Sequence, residues 1–285
     1  MRDMTSSLQP ATGDAPLHVA QISGVLFATL NRPDRRNALT DDIVAALDVE
    51  CERVANDDSV RAFVLRGAGG TFCAGGDFGG FKALMREPAP ATGRDPIAIY
   101  NRRFGALLEK LAALPVPTLA VIEGAAIGGG CGLAAACDRV IMAADAHLSM
   151  PETTLGLPPA QIAPFIIARA GVSRGRWLML TGQRLSAAEA LYAGLVDETS
   201  SPGGIDALLQ SELARVLAAE PAAQRATKRI VADAGIRERS LVLDAAAADF
   251  ATALRSGNVN EGLAALAAKR APTWQIAQPA LPETP

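Results

Sequence analysis

Two glycine clusters and one glutamate carry the chemistry that this chain displays most openly. Thr118-Leu119-Ala120-Val121-Ile122 is an apolar, partly β-branched run with the character of a buried strand. Glu123-Gly124 closes it, and Gly128-Gly129-Gly130 then precedes an alanine-rich segment, residues 133–136, that favours helix. The first N–H groups of a helix have no partner inside it and lie at the positive end of its dipole. With no side chain to cover them, those of a triple glycine can stabilise a ligand oxygen that gains negative charge. Residues 138–143 read as the next strand, and just beyond it stands a single carboxylate, Glu152, between Pro151 and Thr153. An anion-binding turn followed by a lone acid is the expected active site.

Several elements must position these groups. Residues 60–66 form a buried strand that runs into a second glycine-rich turn, Gly67 through Gly75-Gly76-Asp77. Upstream, residues 18–21 and 25–30 read as two strands around a turn at Ser23-Gly24. Thr40, followed by Asp41 and Asp42, is a good N-cap for an amphipathic helix over 43–55. Downstream, residues 87–96 are proline-rich and polar and read as a surface loop. A helix over 97–114 stops before Pro115 and Pro117, and helices are expected at 164–170 and 174–181. Ser186 caps another over 187–193, which Gly194 ends, and a strand follows at 195–198. Residues 1–15 read as a disordered N-terminus, 16–200 as the core, and 201–285 as a helical C-terminal region beyond the Ser200–Gly204 linker. The coarse architecture is α/β, with repeated strand–strand–helix units and a helical appendage.

Composition narrows the function classes. The chain has 285 residues, 49% hydrophobic, with a net charge of −3, which is ample for a large core and lacks the basic excess of a nucleic-acid or membrane-surface binder. No apolar run is long enough for a transmembrane helix, and the N-terminus has no signal-peptide pattern, so a cytoplasmic protein is expected. Four cysteines show neither metal-ligand nor disulfide spacing, and two histidines make a histidine metal site improbable. Gly171-Val172-Ser173-Arg174-Gly175 matches the serine-hydrolase elbow formally. That motif needs a strand before it and a histidine after it, and both His18 and His147 precede Ser173. It is rejected, as is a dinucleotide reading of the triple glycine, because Leu133 falls where a third glycine is required.

The residues also carry a family likeness. Asn31-Arg32-Pro33 with Asn37-Ala38-Leu39, Phe72-Cys73-Ala74-Gly75-Gly76-Asp77, Gly128-Gly129-Gly130-Cys131-Gly132-Leu133 and Pro151-Glu152 resemble the crotonase (enoyl-CoA hydratase/isomerase) superfamily. The likeness continues in order through Leu180-Thr181-Gly182, Gly194-Leu195-Val196, Glu261-Gly262 and Lys269-Arg270-Ala271-Pro272. It covers roughly residues 17–274 and is far more specific than one glycine motif. The resemblance implies a ClpP-like ββα superhelix with a C-terminal helical trimerisation region, and a homotrimer or a hexamer of two trimers. It implies an acyl-CoA substrate with no separate cofactor, coenzyme A being part of the substrate, and no metal.

By motif position, the backbone N–H groups of Gly76 and Gly129 would bind the thioester oxygen, each worth about 3 kcal/mol in the transition state. Glu152 matches a catalytic glutamate that moves a proton on the carbon chain. Arg36, Lys269, Phe250 and the Ala38 and Ala74 backbone match coenzyme A contacts, with Lys269 and Phe250 supplied by a neighbouring subunit. Asp77, in the same oxyanion turn, is counted with them among the substrate- and coenzyme A-binding residues. Gln161 could hold a water or a substrate polar group, or serve as a structural amide.

The sequence departs from the family's two-glutamate pattern at Gly132, where hydratases of that type carry a first glutamate. Segment 156–165 looks like the branch containing isohexenylglutaconyl-CoA hydratase and its 3-methylglutaconyl relatives. Water addition to a 2-enoyl-CoA is slightly preferred. The alternatives are a Δ3,Δ2-enoyl-CoA isomerase working through Glu152 alone, and a non-catalytic acyl-CoA-binding module of the same fold.

Overall fold

A computed structural model describes residues 15–283 except positions 78, 80, 81, 83, 84, 87 and 89. The disorder expected for the N-terminus therefore lies outside the described residues, apart from Ala15. So does part of the loop expected over 87–96; from 90 to 95 the chain forms neither helix nor strand.

A six-stranded sheet organises the molecule. β1 (Leu17–Ile22) and β2 (Val25–Leu30) form an antiparallel hairpin around Ser23-Gly24, with the left-handed backbone the turn requires at both positions. β3 (Ala62–Gly67), β4 (Thr118–Ile122), β6 (Arg139–Met142) and β9 (Glu198–Thr199) then add in parallel, giving the order β1-β2-β3-β4-β6-β9. Parallel strands buried on both faces read as unbroken apolar runs, and both faces are covered here. Leu26, Phe63, Leu65, Ala120, Ile122, Val140 and Met142 join the main core. Val25, Phe27, Ala62, Val64, Leu119, Val121 and Ile141 point the other way, into a second cluster.

A smaller sheet consists of β5 (Ala125–Ile127), β7 (His147–Ser149) and β8 (Arg184–Ser186). The sequence did not reveal these strands. At three residues each they are too short to show a period of two. Bridges Leu39↔Gly76 and Cys73↔Ala126 extend the same layer across successive turns of the chain. The result is the ββα superhelix that the resemblance implied.

Helices fill the main core side. α1 (Asp41–Asn56) starts at Thr40, whose hydroxyl accepts from Ile43 N, and buries Ile43, Leu47, Cys51 and Val54 at helical spacing. α2 (Pro96–Ala112) is capped by Asp95 and buries Leu107, Leu108 and Leu111. α3 (Gly129–Ala135) begins earlier than the alanine-rich stretch suggested, because packing overrides the low helix propensity of its glycines. α4 (Ala163–Thr181) comprises the two helices expected at 164–170 and 174–181, joined across a kink at Gly171, whose backbone is not helical (φ 74°, ψ 163°).

α5 (Ala187–Ala193) carries a complete capping box between Ser186 and Glu189 and ends at left-handed Gly194. The strand expected at 195–198 is a correction. The N–H groups of Leu195 and Val196 close back onto Ala190 O, so pairing with β6 starts only where Asp197 N donates to Val140 O, with Glu198 and Thr199 in register and Ser200 N donating to Met142 O. α6 (Ile205–Ala218) buries Ile205, Leu209, Leu213 and Leu217 in the second cluster, and the last residues return to it through Ile276 and Leu281. α7 (Pro221–Ala234), α8 (Arg239–Arg255) and α9 (Asn258–Ala267) form the helical end. No helix among the described residues is long and apolar enough to cross a membrane.

Candidate active site

β3 and β4 are parallel neighbours, so the turns that leave their carboxyl ends emerge side by side. Hydrogen bonds lock them together: Cys73 N donates to Ala125 O at 2.9 Å and Ile127 N donates to Cys73 O at 2.9 Å. Gly75 (φ +93°) sits at the join, where a Cβ would stand 3.0 Å from Ile127 O and 3.9 Å from Gly129 N. Leu39 N donates to Gly75 O and Asp77 N to Leu39 O, both at 2.8 Å. In extended backbone that rung turns the intervening Gly76 N–H to the opposite side. Among the described residues, no atom lies within 4 Å of where a Cβ on Gly76 would be. Gly129 is the first residue of α3, a position whose N–H has no intrahelical acceptor. Two N–H groups without a partner among the described residues thus lie on adjoining turns.

Glu152 reaches the same place from β7. β5 and β7 pair in parallel, and Gly128 N donates to Ser149 O at 2.8 Å, tying the start of α3 to the strand that leads to the acid. Glu152 lies in the short 3₁₀ turn Pro151–Leu155. A Cβ on Gly128 (φ +52°) would stand 2.7 Å from Glu152 Oε1, so the carboxyl rests against the bare Cα at the head of α3. Its other oxygen, Oε2, is buried and has no hydrogen-bond partner among the described residues. Burial pushes the carboxyl pKa up, against a smaller opposing effect of its own backbone N–H. A buried, unpaired carboxylate oxygen is costly unless it serves a ligand.

The walls are apolar. Leu39 and Phe104 crowd Gly129, where a Cβ would stand 2.9 Å from Leu39 Cδ1 and 3.4 Å from Phe104 Cζ. At Gly132 a Cβ would collide with Ile162 Cγ2 and lie 3.4 Å from Leu108 Cδ1. The position at which a first glutamate was missed is therefore filled by hydrocarbon, and any side chain there must displace it. Gln161, beside Ile162, donates from Nε2 to Asn101 Oδ1 at 2.8 Å and packs its Oε1 against the bare face of Gly105. In this structure that bond ties the 156–162 segment to α2. Asn101, Phe104, Gly105 and Leu108 fall at i, i+3, i+4 and i+7, one face of α2. The sequence showed α2 as a helix, but its period gave no sign of which face meets the site.

Asp77 accepts from Gly79 N (2.9 Å) and Arg32 Nη1 (3.3 Å), and these bonds hold its carboxyl below the usual range. It braces the turn. Ala74 N donates to Arg36 O, and Ala38 O accepts from Arg32 Nη1. Both alanines border the turn, with the exposed Arg36 in left-handed backbone between them and the surface. Phe250 on α8 is 67% exposed, and Lys269, beyond α9, is exposed as well. Neither is brought to Glu152 within this chain. The four cysteines are buried free thiols, each pushed up to about 12, chiefly by burial. Cys73 and Cys131 lie under the glycine turns but stay protonated, so they are packing groups rather than nucleophiles.

An acid laid against the start of a short helix stands beside two N–H groups on adjoining turns of a ββα superhelix, an arrangement able to hold an oxyanion next to a proton-transfer group. The chain belongs to the enoyl-CoA hydratase/isomerase family, whose model matches residues 20–277, and so to the crotonase superfamily. It is 34% identical to the 1,2-epoxyphenylacetyl-CoA isomerase of Escherichia coli K12, over 88% of this chain and 95% of that protein. Among solved structures, Pseudomonas aeruginosa AtuE is 41% identical with a TM-score of 0.86, covering 92% of this chain and all of that one (100%). An enoyl-CoA hydratase/isomerase from Marinobacter aquaeolei is 38% identical with a TM-score of 0.87, covering 92% and 99%.

Proposed function

We propose that this enzyme adds water to a 2-enoyl-CoA, with Glu152 as its only acid–base group. The observation that carries the reading is the Glu152 carboxyl. It lies against Gly128 with one oxygen unpaired and its pKa raised by burial, beside the free N–H of Gly129. The thioester oxygen binds between the N–H groups of Gly76 and Gly129. One carboxylate suffices for the chemistry. Glu152 takes a proton from water as the water oxygen bonds to the β-carbon, and the electron pair of the double bond moves onto the thioester oxygen. The enolate then collapses, and the α-carbon takes the proton from Glu152. Each step keeps the developing charge within reach of the two N–H donors.

A second reading is supported by Gly132. Ile162 and Leu108 occupy the space where a second acid would act, and moving a proton between two carbons needs only one. In that case Glu152 shifts the double bond without adding water. Incubating an enoyl-CoA panel, straight-chain and 3-methylglutaconyl-type, in heavy-oxygen water and weighing the products separates the two. Gain of one labelled water, lost in Glu152→Gln, supports hydration. A moved double bond with no mass gain supports isomerisation. Bound but unchanged acyl-CoA throughout would leave only a binding module.

The same reading includes coenzyme A contacts from Arg36, Ala38 and Ala74, with Phe250 and Lys269 donated by a second copy in a trimer or hexamer. Exposed apolar side chains on the helical end support it: Leu243 at 62%, Phe250 at 67% and Leu266 at 76%. Light scattering that finds a monomer would remove this part. A cytoplasmic location completes the reading, supported by four thiols that remain unpaired.

A further inference from the structure

Arg169 stands outside the site, yet its contacts lead to both of its halves. It projects from α4, and every nitrogen of its guanidinium is engaged. Nε donates to Ala135 O at 3.3 Å, and Nη2 donates to Cys137 O at 2.7 Å and Asp138 O at 3.1 Å. These carbonyls are the end of α3 and the turn after it, groups that a helix terminus leaves without intrahelical donors. Nη1 donates to both Asp197 carboxylate oxygens, at 3.1 and 3.2 Å, and Asp197 Oδ2 in turn accepts from Val140 N of β6 at 2.6 Å. The side chain is only 12% exposed, so the planar fork holds its partners with little competition from water.

α4 also grips the acid. Thr153 Oγ1, next to Glu152, donates to Met179 O at 2.9 Å, and Ser149 Oγ donates to Gly182 O at 3.1 Å. Ile162, at the entry to α4, packs into the bare face of Gly132 in the middle of α3. The two helical segments of α4 therefore hold the far end of the Gly129 helix, through Arg169 before the kink, and the Glu152 turn, through the residues after it. The kink at Gly171 lies between these two anchors. Its φ of 74° and ψ of 163° belong to a region open essentially to glycine alone. Nothing lies within 4 Å of its absent Cβ, so the requirement there is for the bend and not for space. This is the role of the first glycine in the rejected hydrolase-like motif.

We propose that Arg169 is a positioning residue for the reaction: by gripping the carboxyl end of the Gly129 helix from the first segment of α4, whose second segment holds the Glu152 turn across the Gly171 bend, it fixes the distance between the oxyanion donor and the acid. The proposal rests on the oxyanion reading of Gly129. Its consequence is selective. Loosening Arg169 weakens binding of an enolate-like ligand, whose charge must meet Gly129 N–H, and spares a saturated acyl-CoA held by its coenzyme A part.

The test uses full-length wild type, Arg169→Met and Arg169→Lys. Calorimetry gives the affinity of acetoacetyl-CoA, which offers an enolate, and of butyryl-CoA, which does not. Exchange of the butyryl-CoA α-protons in heavy water gives the rate. The expected result is a loss of about tenfold or more in both exchange rate and acetoacetyl-CoA affinity in Arg169→Met. Butyryl-CoA affinity stays within about threefold, and Arg169→Lys, which keeps the charge without the fork, recovers part of the loss. Should Arg169→Met not fold, Arg169→Lys decides by the same ratio. Unchanged exchange and acetoacetyl-CoA binding in a folded variant, even with a lower Tm, would overturn the proposal. So would equal weakening of both ligands. If wild type itself shows no preference for acetoacetyl-CoA, the oxyanion reading is what fails, whatever Arg169 does.

Discussion

The two glycine turns leave parallel neighbouring strands and both carry a glycine expected to donate an N–H, yet they are built on opposite principles. The turn at Gly75-Gly76 is shaped by backbone. Gly75 needs its positive φ, the Leu39 rung fixes the peptide planes, and no described residue fills the space beside Gly76. The turn at Gly128–Gly132 is shaped by contact. Glu152 presses on Gly128, Leu39 and Phe104 on Gly129, Cys73 on Gly130, and Ile162 on Gly132. In the first turn glycine leaves room for a ligand; in the second it lets the protein close in from several sides. Loss of the donor in the first turn should therefore be read in activity, and a side chain added to the second in stability.

The sharpest way to break this contrast is at Gly76. Gly76→Pro removes the donor, and about 100- to 1,000-fold of turnover should go with it, the scale for one oxyanion-hole donor. Gly76→Ala keeps the N–H and meets no neighbour, so its steady-state rate should stay within a few-fold of wild type. Equal losses in the two variants would mean that bulk, and not the donor, matters there. At Gly132 the effect should appear in melting curves. Gly132→Ala forces Ile162 aside and should cost about 1–3 kcal/mol of stability, as overpacking does. Adding Ile162→Ala should return part of it, because the two sites share one contact. Simple additivity in that double-mutant cycle would contradict the packing described.

A smaller effect concerns Glu152 itself. Burial raises its pKa in the folded protein, so the native state holds this proton more tightly than the unfolded chain does. That contribution is complete below the ordinary carboxylate value and is lost as pH rises through the raised one. Glu152→Gln, which cannot ionise, should melt higher than wild type at neutral pH, and the gap should close in acid. A variant that melts lower at neutral pH would show that the charged carboxylate has a partner that stabilises it.

Much of this was legible in the sequence because it depends on local rules. The apolar runs at 25–30 and 118–122 declared strands buried on both faces, and Thr40, Ser186 and Gly194 marked helix ends through their hydrogen bonds and backbone. The motif order placed Gly76, Gly129 and Glu152 together before any coordinates did. What stayed hidden depends on partners distant in the chain. β5, β7 and β8 exist because they pair with one another, not because three residues prefer to extend. Gly132 looked like a missing acid until Ile162 was seen to fill its place, and the second half of the Arg169 clamp, Asp197, lies 28 residues away. The partner of the Gln161 amide nitrogen, Asn101, lies 60 residues earlier.

The central claim is that Glu152 moves a proton at the carbon next to a thioester whose oxygen is held by Gly76 and Gly129. Exchange of the α-protons of butyryl-CoA in heavy water, followed by mass spectrometry with binding measured alongside, tests it without choosing between hydration and isomerisation. Wild type should exchange, and Glu152→Gln should lose about 100- to 10,000-fold of the rate while binding butyryl-CoA nearly as well. Exchange that survives in Glu152→Gln, or binding lost together with it, would contradict the account.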